Sequence, residues 1–193
     1  ANPKISAVLL WVNSPGGMVA GLELVTGAIK SMKKPMVSLI AGLSASAAMW
    51  IISATAYRIA TSTIDNIGSI GTKMVFDDVA EMLKTNGIKR YEVYATKATR
   101  KDEQTRAITE NGDIKPMTEY VDFVNETFHK AISDNLKIPM ESEVFTGAIF
   151  FAQKAKELGL INEINTMDYA LEKAYKLGLK NKAINQSKSL KLY

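Results

Sequence analysis

The sequence contains no cysteine and a single histidine, His129. The first absence excludes a disulfide, a thiol nucleophile and a cysteine-ligated metal site, and it leaves the redox compartment open. With one histidine as well, a transition-metal centre would rest almost wholly on carboxylates, and none cluster at ligand spacing. No cofactor is expected. His129 follows Phe128 on a helix with one apolar face and reads as a surface or boundary residue, so a hydrolase built on this chain would need another base. Long hydrophobic runs are also scarce. The longest, Met36 to Ile52, is broken by Ser38, Gly42, Ser44 and Ser46. It falls short of the roughly 20 residues of a membrane-spanning helix and reads as buried core. Neither common phosphate-cradling glycine pattern occurs. There is no basic stripe and no recognisable nucleic-acid module, so no nucleic-acid partner is expected.

What is present suits a soluble globular protein: 193 residues, 47% hydrophobic and 23% charged, with a formal net charge of +4. The basic residues are interspersed with acidic ones, apart from a cluster at 97–106 and a lysine-rich stretch at 176–191, and read as solvated surface. No repeat, linker or low-complexity segment divides the chain, so one domain over 1–193 is the economical expectation, with 180–193 as a flexible tail. Residue 1 is alanine rather than methionine, and an apolar strand follows almost at once. This suggests a fragment or processed form lacking N-terminal residues, with any upstream anchor out of view.

Ile5 to Val12 is a nearly continuous apolar run, as expected of a strand buried on both faces. Asn13-Ser14-Pro15-Gly16-Gly17 stops it with turn chemistry. A helix over Met18–Met32 follows, then a buried strand over Met36–Ala41 closed by Gly42, and a short buried helix over Ser46–Ser53. Further on, the pattern predicts a strand over Arg58–Ala60, a helix over Phe76–Lys84, a strand over Tyr91–Ala95 and a surface loop over Thr96–Asp113. Pro116 suits the first turn of a helix, and apolar residues at steps of three and four continue it to Ile132. A helix over Phe150–Leu158, a strand over Leu160–Ile164 and a helix over Met167–Leu177 complete the reading. Strands alternating with helices predict an α/β fold with a mainly parallel sheet and flanking helices.

Two segments carry chemical interest. Gly16 and Gly17 sit where a buried strand meets a helix, and glycines there let backbone N–H groups approach a developing negative charge. In Ala41-Gly42-Leu43-Ser44-Ala45-Ser46-Ala47-Ala48, small residues surround Ser46 at a strand-to-helix turn, the setting that exposes a nucleophilic hydroxyl in hydrolases. Alone, the first also fits an ordinary tight turn and the second close helix packing. Their occurrence together favours a site.

These segments resemble the fold shared by the Clp protease proteolytic subunit, signal peptide peptidase A and the crotonases. Gly68-Ser69-Ile70-Gly71, the charged stretch Lys97 to Asp102, and Phe145-Thr146-Gly147 with Ala155 to Ile164 are similar to the signal peptide peptidase A family in particular. That likeness spans about Ile5 to Ile164. It implies Ser46 as nucleophile and Gly17 and Ala47 as oxyanion-hole donors, with Gly16 shaping the turn. It implies Ser69 as the residue that orients a lysine base. Lys101, followed by Asp102, is the better match to that lysine, and Lys97 is its competitor. The sequence departs from the family at Ala98, at Ala47-Ala48 and at Tyr57-Arg58, where Gly, Gly-Gly and Asp-Lys are usual.

The resemblance implies a Ser/Lys-dyad serine peptidase acting on extended or unfolded peptides such as signal peptides. It further implies a homo-oligomer whose subunits share a site, and a membrane-associated or extracytoplasmic bacterial location, with membrane association through absent N-terminal residues. A phage-type capsid- or scaffold-processing protease, in the cytoplasm or a prohead, is the alternative. A Clp-type subunit would need a histidine near Gly71, and a crotonase has no use for the serine. An inactive scaffold that kept the fold is the remaining rival.

Overall fold

A computed structural model of the chain describes residue 2 and residues 4–190. The chain divides into two compact units. The first comprises Ala1–Gly71 and Thr127–Tyr193, and the second is Thr72–Glu126.

The first unit is built on a six-stranded sheet: β1 (Val8–Ser14), β2 (Met36–Ala45), β3 (Tyr57–Ala60), β4 (Asn66–Gly68), β5 (Ile149–Phe151) and β6 (Glu163–Ile164). Every pairing is parallel except β4 with β5. Flanking it are α1 (Leu22–Ser31), α2 (Ala47–Ser53), α6 (Ala152–Glu157), α7 (Met167–Leu190) and the C-terminal part of α5 (Lys115–Leu136). This is the α/β architecture that the alternating pattern predicts.

Strand β2 organises the sheet. Its residues 37–40 pair with β3, whereas 43–45 pair with β4. The change of partner falls at Gly42, whose φ of 103° is open to glycine at little cost. The β1–β2 register slips there too, from Val12↔Ile40 to Ser14↔Ser44. Gly42 therefore does not close the strand as its sequence suggests; it is a bulge that curls the sheet. Asp65 holds the bulge. Its buried carboxylate accepts from the N–H of Gly42 at 2.9 Å, of Thr61 at 2.8 Å and of Ser62 at 3.0 Å.

Val37 and Leu39 enter one buried cluster with Ala170 and Ala174 of α7, while Ile40 enters a larger one with Met49, Trp50, Ile52 and Phe128. This two-sided burial is what the sequence predicts for β2. Strand β1 differs. It pairs with β2 alone among the described residues, and its Trp11 is 62% exposed. Arg58 is buried in β3, donating to the carbonyls of Thr55 at 2.9 Å and Leu160 at 3.1 Å. Burial pushes its guanidinium down to about 10, opposed by Tyr57, and it stays cationic at neutral pH.

Several boundaries differ from the periodicity. β4 is unannounced, and Phe150 and Phe151 belong to β5 rather than to the following helix, because short aromatic stretches take their conformation from a partner strand. Helix α7 continues past Leu177 to Leu190, so the backbone of 180–190 is helical, and 191–193 of the expected tail lie outside the described residues.

The second unit holds α3 (Ala80–Thr85), α4 (Glu103–Asn111) and the start of α5. No strand forms at Tyr91–Ala95: Val93 is 94% exposed, and Tyr94 donates to Glu92 instead. Helix α4 lies within the expected loop. It lacks an apolar stripe, so periodicity misses it, and Gly112 in the left-handed region ends it. None of the residues 72–126 is buried.

Candidate active site

Where β2 ends, Ser46 caps α2 with φ 53° and ψ −123°. A non-glycine residue in this region carries strain of roughly 1–3 kcal/mol, and such strain persists where surrounding structure over-determines it. Here that structure is visible. The Ser46 N–H donates to the Gly68 carbonyl at 2.9 Å, and its own carbonyl accepts from Trp50 N–H at 3.2 Å. Ala45, Ala47 and Ala48 are buried around it, so the small side chains that mark the turn in the sequence are the ones that let it fit.

The Asn13–Gly17 turn packs directly on this serine. A Cβ built on Gly16 would lie 2.7 Å from the Ala45 carbonyl oxygen, 2.7 Å from Ser46 Cβ and 2.8 Å from Ala47 N. Only glycine fits, and its φ of 97° independently demands one. Gly16 N–H is held by the Ser14 hydroxyl at 3.2 Å. Gly17 is open, with nothing within 4 Å of a would-be Cβ. Ala47, as the first residue of α2, has an N–H with no intrahelical acceptor. The structure thus brings Gly16, Gly17, Ser46 and Ala47 to one place.

A groove of about 410 Å³ adjoins them. Gly16, Gly17 and Ala47 line it together with Leu10, Trp11, Met18, Leu22, Ile51 and Ile52. Ser46 stands just outside its wall, next to Ala47.

Ser69 joins the same point. The β2–β4 register pairs Ala45 with Gly68, and Ser69 directly follows the residue whose carbonyl takes the Ser46 N–H. Ser69 also has a positive φ, 50°, and its N–H donates to the Ala148 carbonyl at 2.7 Å. Gly68 is pressed against that carbonyl so closely that a Cβ would lie 2.5 Å from its oxygen.

Lys97 and Lys101 lie in the second unit, in turns that precede α4, and both are exposed. Lys101 N–H donates to the Ala98 carbonyl at 3.1 Å, and Asp102 adopts a left-handed conformation at the head of α4. The serines and the lysines therefore belong to different units.

His129 is half-buried, as its place beside Phe128 suggests. Its Nε2–H donates to the Ile70 carbonyl at 3.3 Å, and its ring lies 4.9 Å from that of Phe145. Burial pushes the imidazole below its ordinary 6.5, with the carbonyl bond pulling the other way. Sequence reasoning gave neither this contact nor the Asp65 anchor. The only local signal for Asp65 is its position after Thr61-Ser62, a short polar turn.

Residues 28–181 match peptidase family S49. The chain is 33% identical to "Putative protease MJ0651" of Methanocaldococcus jannaschii, over 90% of this chain and 57% of that one. It is 28% identical to Protease 4 of Salmonella typhi, over 91% of this chain and 29% of that one. Capsid assembly protease C of Escherichia phage lambda is 24% identical over 87% of this chain and 39% of its own length. The chain thus spans between 29% and 57% of the length of these relatives. Among the described residues, no helix is long and apolar enough to cross a membrane.

Proposed function

Because the chain belongs to peptidase family S49, we propose that it hydrolyses peptide bonds with Ser46 as nucleophile and a lysine as general base. The observation that carries this reading is the strained Ser46 turn, clasped between Gly16 and Gly68 at the end of β2. Ser46 attacks the scissile carbonyl and gives its proton to the lysine amine, which returns it to the leaving amine. The N–H groups of Gly17 and Ala47 receive the oxyanion, and losing one such donor typically costs ~10²–10³-fold in rate. Lys101 is the preferred base and Lys97 its competitor. Ser69, which follows the Gly68 that takes the Ser46 N–H, orients the amine.

A lysine amine has an ordinary pKa of ~10.4 and serves as a base only when shielded from water. Both candidates are exposed in the single chain. The second unit buries none of its residues and exposes Val93 at 94%, Tyr91 at 81% and Val75 at 76%. A surface of that kind is suited to a partner. We assign it to further copies of this chain, in a homo-oligomer that shields the lysine.

The apolar groove beside Gly17 suits an extended peptide presenting large apolar side chains, such as a signal peptide. A second reading, processing of capsid or scaffold protein, is favoured by the relatives named capsid assembly protease C and head-tail preconnector protein. Location at or beyond a bacterial cytoplasmic membrane, or in a phage prohead, follows whichever substrate applies.

The test is casein hydrolysis across pH 6 to 10 by the intact chain and by Ser46→Ala, Lys101→Ala and Lys97→Ala. Activity that rises towards alkaline pH, vanishes in Ser46→Ala and is lost in one lysine variant supports the dyad. Activity surviving Ser46→Ala removes the nucleophile. An intact chain inactive at every pH favours a scaffold.

A further inference from the structure

The backbone around Ser69 is held at three successive points. The Gly68 carbonyl accepts from Ser46 N–H at 2.9 Å, and Ser69 N–H donates to the Ala148 carbonyl at 2.7 Å. The third hold comes from a side chain: His129 Nε2–H on the Ile70 carbonyl at 3.3 Å. The acceptor is a carbonyl, so the ring nitrogen must be the donor. A serine at φ 50° keeps that conformation only while its neighbours hold it, so each of these bonds bears on where its hydroxyl points.

The position of this third bond in the chain gives it further weight. Ile70 lies one residue before the first unit's segment ends at Gly71, and His129 is two residues after the chain returns to that unit at Thr127. The bond therefore ties together the exit and return segments of the 72–126 insertion. The preceding residue, Phe128, stacks on Trp50 of α2 at 4.9 Å and 8°. Adjacent residues of α5 thus brace both the helix that begins after Ser46 and the loop that carries Ser69.

We propose that His129 is a positioning residue, which holds the Ile70 carbonyl and through it keeps Ser69 oriented towards the base. This rests on the Ser46 peptidase reading, and His129 itself makes no proton transfer. Loss of its donor should lower kcat and leave KM alone, because Ser69 serves the base and not the groove.

The experiment measures kcat and KM for fluorescein-labelled casein with the full chain, alongside the thermal unfolding midpoint. His129→Phe keeps the ring and loses the donor, and its kcat should fall about tenfold with KM within about twofold, a modest version of the loss that small misplacements cause. His129→Gln, whose amide N–H reaches a similar position, should recover most of it. His129→Leu serves the same comparison if the phenylalanine variant does not fold. An unchanged kcat in the folded donor-less variant overturns the proposal, as does a glutamine variant no better than it. A glutamine variant as inactive as Ser46→Ala also overturns it, since that would make the imidazole an acid or base. Ser46→Ala, run in parallel, separates these outcomes from failure of the peptidase reading itself: turnover surviving in Ser46→Ala, or none in the intact chain, overturns that reading and this proposal with it.

Discussion

Gly16 and Ser46 approach so closely that a Cβ on the glycine would lie 2.7 Å from the serine's own Cβ. Real Cβ atoms do not come this near, so the turn after β1 and the turn after β2 form a single packed unit. Gly17, one residue on, meets nothing.

The two glycines should therefore respond differently to the same methyl group. Gly16→Ala forces backbone movement against Ala45, Ser46 and Ala47, and it must also hold alanine at a positive φ. Casein hydrolysis is expected to fall by roughly 100-fold or more, in line with loss of an oxyanion donor. Gly17→Ala keeps its N–H and has free space, and its rate should remain within several-fold. Equal effects would show that the close approach does not matter to the chemistry.

Ser46 holds a conformation that glycine adopts more readily. Ser46→Gly should abolish activity and still raise stability by about 1 kcal/mol, the released strain less the entropy cost of a glycine. Ser46→Ala, which keeps the strain, should be inactive at nearly unchanged stability. Urea unfolding of the two variants distinguishes them.

Val93 is 94% exposed, and in a monomer Val93→Asp should change stability by no more than about 0.5 kcal/mol. At an interface between copies, it should instead shift the sedimentation profile towards smaller species. Activity should fall in step if that interface shields the lysine. Unaltered sedimentation and activity would remove Val93 from any such contact.

The imidazole of His129 is held below 6.5 by burial. Its folded value is the lower one, so between the two values the unfolded chain binds the proton more readily and stability rises with pH. Its contribution is fully present above about 6.5 and is lost as pH falls through the depressed value. His129→Gln should flatten that part of the stability–pH curve in urea unfolding from pH 7 to 5. An equal slope in both proteins would place its cause elsewhere.

Much of the candidate site's backbone is legible locally because its demands are local. Asn13–Gly17 and Ala45–Ala48 announce themselves through residues chosen for unusual φ or small volume, and both turns form where those residues stand. Strand β2 is legible because burial on both faces leaves no room for alternation. Strand β4, by contrast, spans three residues with no pattern of its own, and Tyr91–Ala95 has a strand's alternation with no partner to pair with. Helix α4 has the reverse character, a helix without an apolar face.

By itself, then, the sequence determined the α/β class, the doubly buried central strand and the two turns that meet at Ser46, since each depends on side-chain size and polarity along a short stretch. Tertiary structure alone decided that Gly42 is a bulge and not a stop, that Asp65 holds it and that the carbonyl of Gly68 takes the Ser46 N–H. It alone decided that residues 72–126 form a unit without buried residues and that His129 reaches Ile70. Apart from the exposure of 72–126, each of these rests on a contact between segments remote in the chain. Such contacts are settled by strand register and by which buried polar groups find partners, and neither leaves a period in the sequence.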